Sequence, residues 1–121
     1  MTVKDAYVSA LGILAERTVD SDLEGFAPGW TNLLLAESLA AENSIRLSEG
    51  RAELASPPVL AAPTDEIPYA ASLAARAIPC GLAAFLYEAA DDGERAADYR
   101  ARFVQALYEC SRAVPGGADV Y

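Results

Sequence analysis

Residues 91–115 read DDGERAADYRARFVQALYECSRAVP, and the fold class follows from this stretch. Tyr99, Phe103, Leu107, Cys110 and Val114 recur at intervals of four, four, three and four, which lays one apolar stripe along about four turns of α-helix. Asp91 followed three positions later by Glu94 has the form of a capping box, and Asp92-Gly93 marks the turn before it. Pro115-Gly116-Gly117 ends the helix. The sequence thus predicts a helical domain over residues 1–114 and a flexible tail over residues 115–121.

The same periodicity continues towards the N-terminus. A helix is expected from about Tyr69 to Ala90, with Leu73, Ala77, Cys80, Ala84 and Tyr87 near one stripe. Pro79 interrupts it, since an internal proline removes one hydrogen bond and kinks or splits a helix. Another helix should start between Phe26 and Pro28 and run to about Ser48, with Gly50 as its stop. Trp30, Leu33, Leu34, Ala41 and Ile45 share its expected core face. Glu37 lies at the edge of that stripe or pairs with an arginine. Val3, Tyr7, Leu11 and Leu14 mark a first helix, capped by Thr2 with Asp5 in its first turn. Gly12 inside it signals a conformational need or a close helix contact. The polar run from Thr18 to Asp22 reads as a connector.

Between Ala55 and Pro68 stand four of the seven prolines. Proline lacks a donor and disfavours helix at the residue before it, so an extended segment is expected there. The predicted architecture is therefore all-α: about four helices in a small bundle, with a long Pro-rich extended loop between helices 2 and 3. Val59 and Leu60 give the loop apolar side chains that want a surface, either the helices or a neighbouring molecule.

Composition narrows the functional classes. The net charge is −9, from 18 acidic and 9 basic residues, and Lys4 is the lone lysine. Nucleic-acid binders depend on clustered cations, so specific nucleic-acid binding is not expected. Histidine is missing, which removes histidine-based triads, His-ligated zinc and the common general base near neutral pH. Cys80 and Cys110 form no CxxC pair and read as free thiols in a reducing compartment. The apolar runs fall short of the ~20 residues that span a bilayer, so a soluble intracellular protein with no membrane contact is expected.

Each chemical candidate has a structural competitor that explains it better. Glu37 and Glu42, five positions apart, point to different faces of a helix, one solvated and one in a salt bridge. Asp65-Glu66 and Asp91-Asp92 precede predicted helices, where carboxylates stabilise the positive end rather than bind a cation. Cys80 beside Pro79 has apolar neighbours and reads as a packed thiol rather than a nucleophile. No phosphate-cradling glycine motif is present. The sequence predicts no catalytic residues, no cofactor and no metal, and hence a protein that is not an enzyme.

Three blocks carry a family resemblance. They are Ala27-Pro28 leading into Leu33-Leu34-Leu35-Ala36-Glu37; Asp65-Glu66-Ile67-Pro68-Tyr69 after Pro58-Val59-Leu60; and the run from Ala77 through Ile78-Pro79-Cys80-Gly81 to Leu86, followed by the last helix. In this order the chain resembles the small helical head–tail connector (head completion or adaptor) proteins of tailed bacteriophages and prophages. Cys80 stands where an aromatic would be expected, and the alanine content is atypical of that family. The resemblance implies a ring of identical subunits below the portal protein, through which DNA passes and which a downstream tail-completion protein extends. It places the protein in the host cytoplasm during assembly and at the virion head–tail junction afterwards. Val59, Leu60, Tyr69, Pro79 and Tyr121 are the candidate interaction residues. The competing expectation is a small dimeric helical regulator or adaptor of a bacterial host.

Overall fold

A computed structural model describes residues 1–14 and 21–112. The expected tail and Tyr121 lie outside these residues, as does most of the expected connector after the first helix. Four α-helices carry the fold: α1 (Val3–Ile13), α2 (Ala27–Ser48), α3 (Ile78–Ala89) and α4 (Gly93–Arg112). A short 3-10 helix, Ser21–Phe26, leads into α2, and a π-helical turn, Leu73–Ala77, leads into α3. No strand forms among the described residues; Thr2 and Glu66 make a single isolated bridge.

The helix starts follow local chemistry. Thr2 Oγ1 accepts from the Asp5 backbone N–H at 3.1 Å while the Asp5 carboxylate accepts from the Thr2 N–H at 3.0 Å, a reciprocal capping box. The next free donors of α1, Val3 N–H and Lys4 N–H, go to the carbonyls of Asp65 and Pro63. At α4 the cap differs from the sequence expectation. Asp92, not Asp91, accepts from the Arg95 N–H at 3.1 Å, and Asp91 takes the left-handed turn conformation, with φ 60°. Gly50, with φ 72°, closes α2 at the expected place.

Pro79 does not split its helix. Helical backbone runs from Ala71 to Ala89, and the preceding turn widens to π geometry, with Ile78 N–H reaching the Leu73 carbonyl. One wide turn moves the i−4 carbonyl away from the proline ring, so the missing donor costs a single turn rather than the helix. Two positions later Gly81 meets α2 directly. A Cβ there would lie 2.5 Å from one Leu34 methyl and 2.7 Å from the other, so only glycine admits this approach. Gly12 has open space and no positive φ, so neither role expected of it is realised.

The core runs through all four helices. Val3, Tyr7, Leu14, Leu34, Leu35, Leu73, Ile78, Leu82, Leu86 and Phe103 are almost wholly buried. From Arg51 to Ala70 the chain is non-helical and lies across α2. Asn43 donates to the Leu54 carbonyl and accepts from its N–H; Asn32 does the same for Leu60, all at 2.8–3.0 Å. Eleven helical residues separate the asparagines, about 16.5 Å, and six extended residues separate the leucines, about 18.6 Å. The near match explains how one rigid helix pins an extended segment at two points.

Candidate interaction surface

One face of α2 buries polar side chains while the other exposes apolar ones. Thr31, Ser38 and Glu42 are wholly buried, whereas Phe26 and Leu33 are 58% and 57% exposed. The buried polar groups are mostly satisfied internally. The Ser38 hydroxyl donates to the Leu34 carbonyl at 2.6 Å. Glu42 accepts from Arg46 Nε at 2.6 Å and from the Ala70 N–H at 2.7 Å, and Arg46 also donates to the carbonyls of Ala52 and Pro68. This buried pair thus ties both ends of the proline-rich segment to α2. Among the described residues Thr31 Oγ1 finds no hydrogen-bond partner.

Phe26, at the end of the 3-10 helix, continues the outward stripe of α2 formed by Trp30, Leu33 and Glu37, at intervals of four, three and four. Phe26 and Trp30 stack at 5.8 Å between ring centroids, and Trp30 stacks on Phe85 of α3 at 5.4 Å. Beside this ladder lies a groove of about 450 Å³ between α2 and the α3–α4 pair, floored by Leu33, Ala36, Gly81, Ala84 and Phe85. A second hollow of about 330 Å³ continues along α2 past Ala40, Ala41 and Ser44, with Val104 and Tyr108 of α4 on its other wall. Glu37 borders both. Eight large hydrophobic residues are exposed among the described residues, and Phe26, Leu33, Val104 and Tyr108 belong to this ladder and trough. Their concentration on one face is what separates it from ordinary scattered surface apolar groups.

Electrostatics punctuate the groove. Arg100 grips both carboxylate oxygens of Glu37, with Nη1 to Oε2 at 2.7 Å, and its guanidinium lies over the Phe103 ring at 5.3 Å. The hydrogen bonds from Arg100 hold the Glu37 carboxyl below its ordinary range. Glu88 stands on the groove rim and adds to the negative field at Arg100. Both glutamates of the expected pair are therefore in salt bridges, Glu37 with Arg100 and Glu42 with Arg46, rather than one solvated and one paired.

The residues expected to make contacts are dispersed. Val59 is 83% exposed. Leu60 is half-buried against the core, its backbone held by Asn32. Tyr69 is buried, its hydroxyl donating to the Leu35 carbonyl at 2.6 Å, and Pro79 is buried in the first turn of α3. Of these four only Val59 has an exposed side chain. Asp65 does not start a helix; its carboxylate accepts from the Ala61 and Ala62 N–H groups and is held low by them. Both cysteines are free, and burial raises the Cys80 thiol above its ordinary pKa, which disfavours the thiolate a nucleophile needs. Among the described residues no three metal-binding side chains cluster, and no helix is long and apolar enough to cross a membrane.

Comparison of the chain with protein-family models, with curated proteins and with solved structures finds no match.

Proposed function

We propose that the chain is a non-enzymatic assembly protein, a head–tail connector subunit that forms a ring with copies of itself, docks on a portal protein and receives a tail-completion protein. The observation that carries the docking half of this reading is the apolar face from Phe26 to Phe85 and onward to Tyr108. Two of the three sequence blocks behind the resemblance, Ala27 to Glu37 and Ala77 to Leu86, supply both walls of its upper groove. The charge of −9 suits a channel through which DNA must slide without being held. In this reading the long proline-rich loop between the second and third helices is an arm towards the neighbouring subunit, with Val59 as its contact.

The test is the native mass of the purified protein, alone and then mixed with portal particles. A monomer or a large ring that joins the particles supports the connector role. A tight dimer indifferent to them overturns it in favour of a small helical regulator, which would bury the same face against itself. Val59→Asp should weaken self-association without lowering Tm, because the side chain makes little contact within the subunit. Unchanged assembly would remove the arm from the interface.

A further inference from the structure

We propose that residues 51–62 form a strap that opens as one body on two asparagine latches, while residues 63–70 stay on the bundle. The inference concerns the free subunit and does not depend on the assembly role above. Burial divides the segment first. No residue from 51 to 62 is fully buried, and Leu54 and Leu60, which pack against the core, are half-buried. The return limb is different, because Ile67 and Tyr69 are buried.

Hydrogen bonds divide it at the same place. The carbonyls of Asp65 and Pro63 accept from the Val3 and Lys4 N–H groups at the start of α1, and the Ile67 N–H donates to the Met1 carbonyl. The Ala70 N–H donates to buried Glu42. Asp65 Oδ2, by accepting from the Ala61 and Ala62 N–H groups, closes a turn between the two limbs. The base of the outgoing limb is Arg46, whose carbonyl accepts from the Arg51 N–H and whose guanidinium donates to the Ala52 carbonyl. Beyond that base, among the described residues, its hydrogen bonds to α2 run through two side chains, Asn43 at Leu54 and Asn32 at Leu60. Arg46 and the Asp65 turn are therefore the hinges, and the asparagines are the latches.

Pro57 and Pro58 lie between the latches. Proline has no N–H to offer α2, and its fixed φ stiffens an extended chain, so this stretch acts as a lever. Release of Leu54 from Asn43 lifts Leu60 from Asn32, although the asparagines stand about 16.5 Å apart along α2. Opening carries Leu54 and Leu60 into solvent beside Val59. It also bares the face of α2 between the latches, where half-buried Leu39 stands seven residues after Asn32 and four before Asn43.

The test is residue-resolved amide hydrogen exchange of the full chain. In the parent, the Leu54 and Leu60 N–H groups should share one opening equilibrium, with protection at least ~10-fold below that of the Ile67 and Ala70 N–H groups. Asn43→Ala should speed exchange at Leu54 and Leu60 by the same factor, about 10-fold, and leave Ile67, Ala70 and α3 unchanged. In a Pro57→Gly/Pro58→Gly background the same substitution should speed Leu54 alone, because the lever is gone. Unequal protection of Leu54 and Leu60 in the parent overturns the proposal without any variant having to fold. So does an Asn43→Ala effect that is confined to Leu54, that spreads to Ile67 and Ala70, or that is missing at both leucines. Coupling that survives the two glycines overturns it as well.

Discussion

Two glycines in helices make opposite predictions because their surroundings differ. Gly81 lies where α3 crosses Leu34, and Leu34 is wholly buried, so its methyls have no free space to move into. Gly81→Ala gains about 1 kcal/mol of helix propensity. It forces an overlap whose usual cost is about 1–3 kcal/mol, so a net loss is expected. Gly12→Ala meets nothing within 4 Å and keeps the propensity gain, so it should raise stability by up to about 1 kcal/mol. Urea unfolding of both variants checks the pair. A Gly81→Ala protein as stable as the parent would mean that α2 and α3 can separate slightly without cost, and that the close approach is not required.

The most informative element is the segment from Arg51 to Ala70, which has few hydrogen bonds of its own and borrows them from α2. Asn32→Ala would strip both backbone partners from Leu60, and an unsatisfied, partly buried pair of groups costs about 1–3 kcal/mol. The loss should be local: faster amide exchange and proteolysis around Leu60, with α3 and α4 protected as before. Equal loss of protection throughout would show that the segment and the bundle unfold together. Helices of this kind were legible because capping pairs and 3.6-residue periodicity are local; Thr2 with Asp5 and the Tyr99–Cys110 stripe needed no tertiary knowledge. The Asn32 and Asn43 clamps were not, because a mid-helix asparagine reads as solvent-facing until the segment crossing it is known. The outer face of α2 was misread for a related reason. Leu33 looks like a core residue by hydropathy yet is mostly exposed, whereas Trp30 packs partly buried against the core and the side that enters it carries Thr31, Ser38 and Glu42 beside Leu34, Leu35 and Ile45. An apolar set wider than one core face, at Phe26, Trp30 and Leu33 beside Leu34 and Leu35, is the signal that could have revealed an exposed apolar stripe.

At the scale of the whole molecule, stability should be limited by charge on both sides of neutrality. Asp5 and Asp65 are held low by backbone donors, Glu37 by Arg100, and Glu109 by Gln105 and Arg76. A carboxyl with a depressed folded pKa binds fewer protons than its unfolded counterpart, so its contribution is present above the ordinary carboxylate range and is lost as pH falls through it. Tyr69 acts in the opposite direction. Burial first, and the nearby Glu42 second, push its phenol up to about 12, so its contribution holds below the ordinary value of 10.0 and is lost as pH rises from there. Between these limits the −9 charge repels itself, a long-range term that salt screens within about 10 Å at 0.1 M. Tm at pH 7 should therefore rise with sodium chloride. In acid, below the ordinary carboxylate values, it should fall even though the net negative charge has been relieved. Tyr69→Phe should lower Tm at neutral pH, by freeing the Leu35 carbonyl, and should flatten the alkaline fall. Scanning calorimetry of the parent and this variant across pH and salt reads all three effects. A Tm indifferent to salt at neutral pH would show that the acidic residues are spread widely enough not to feel one another.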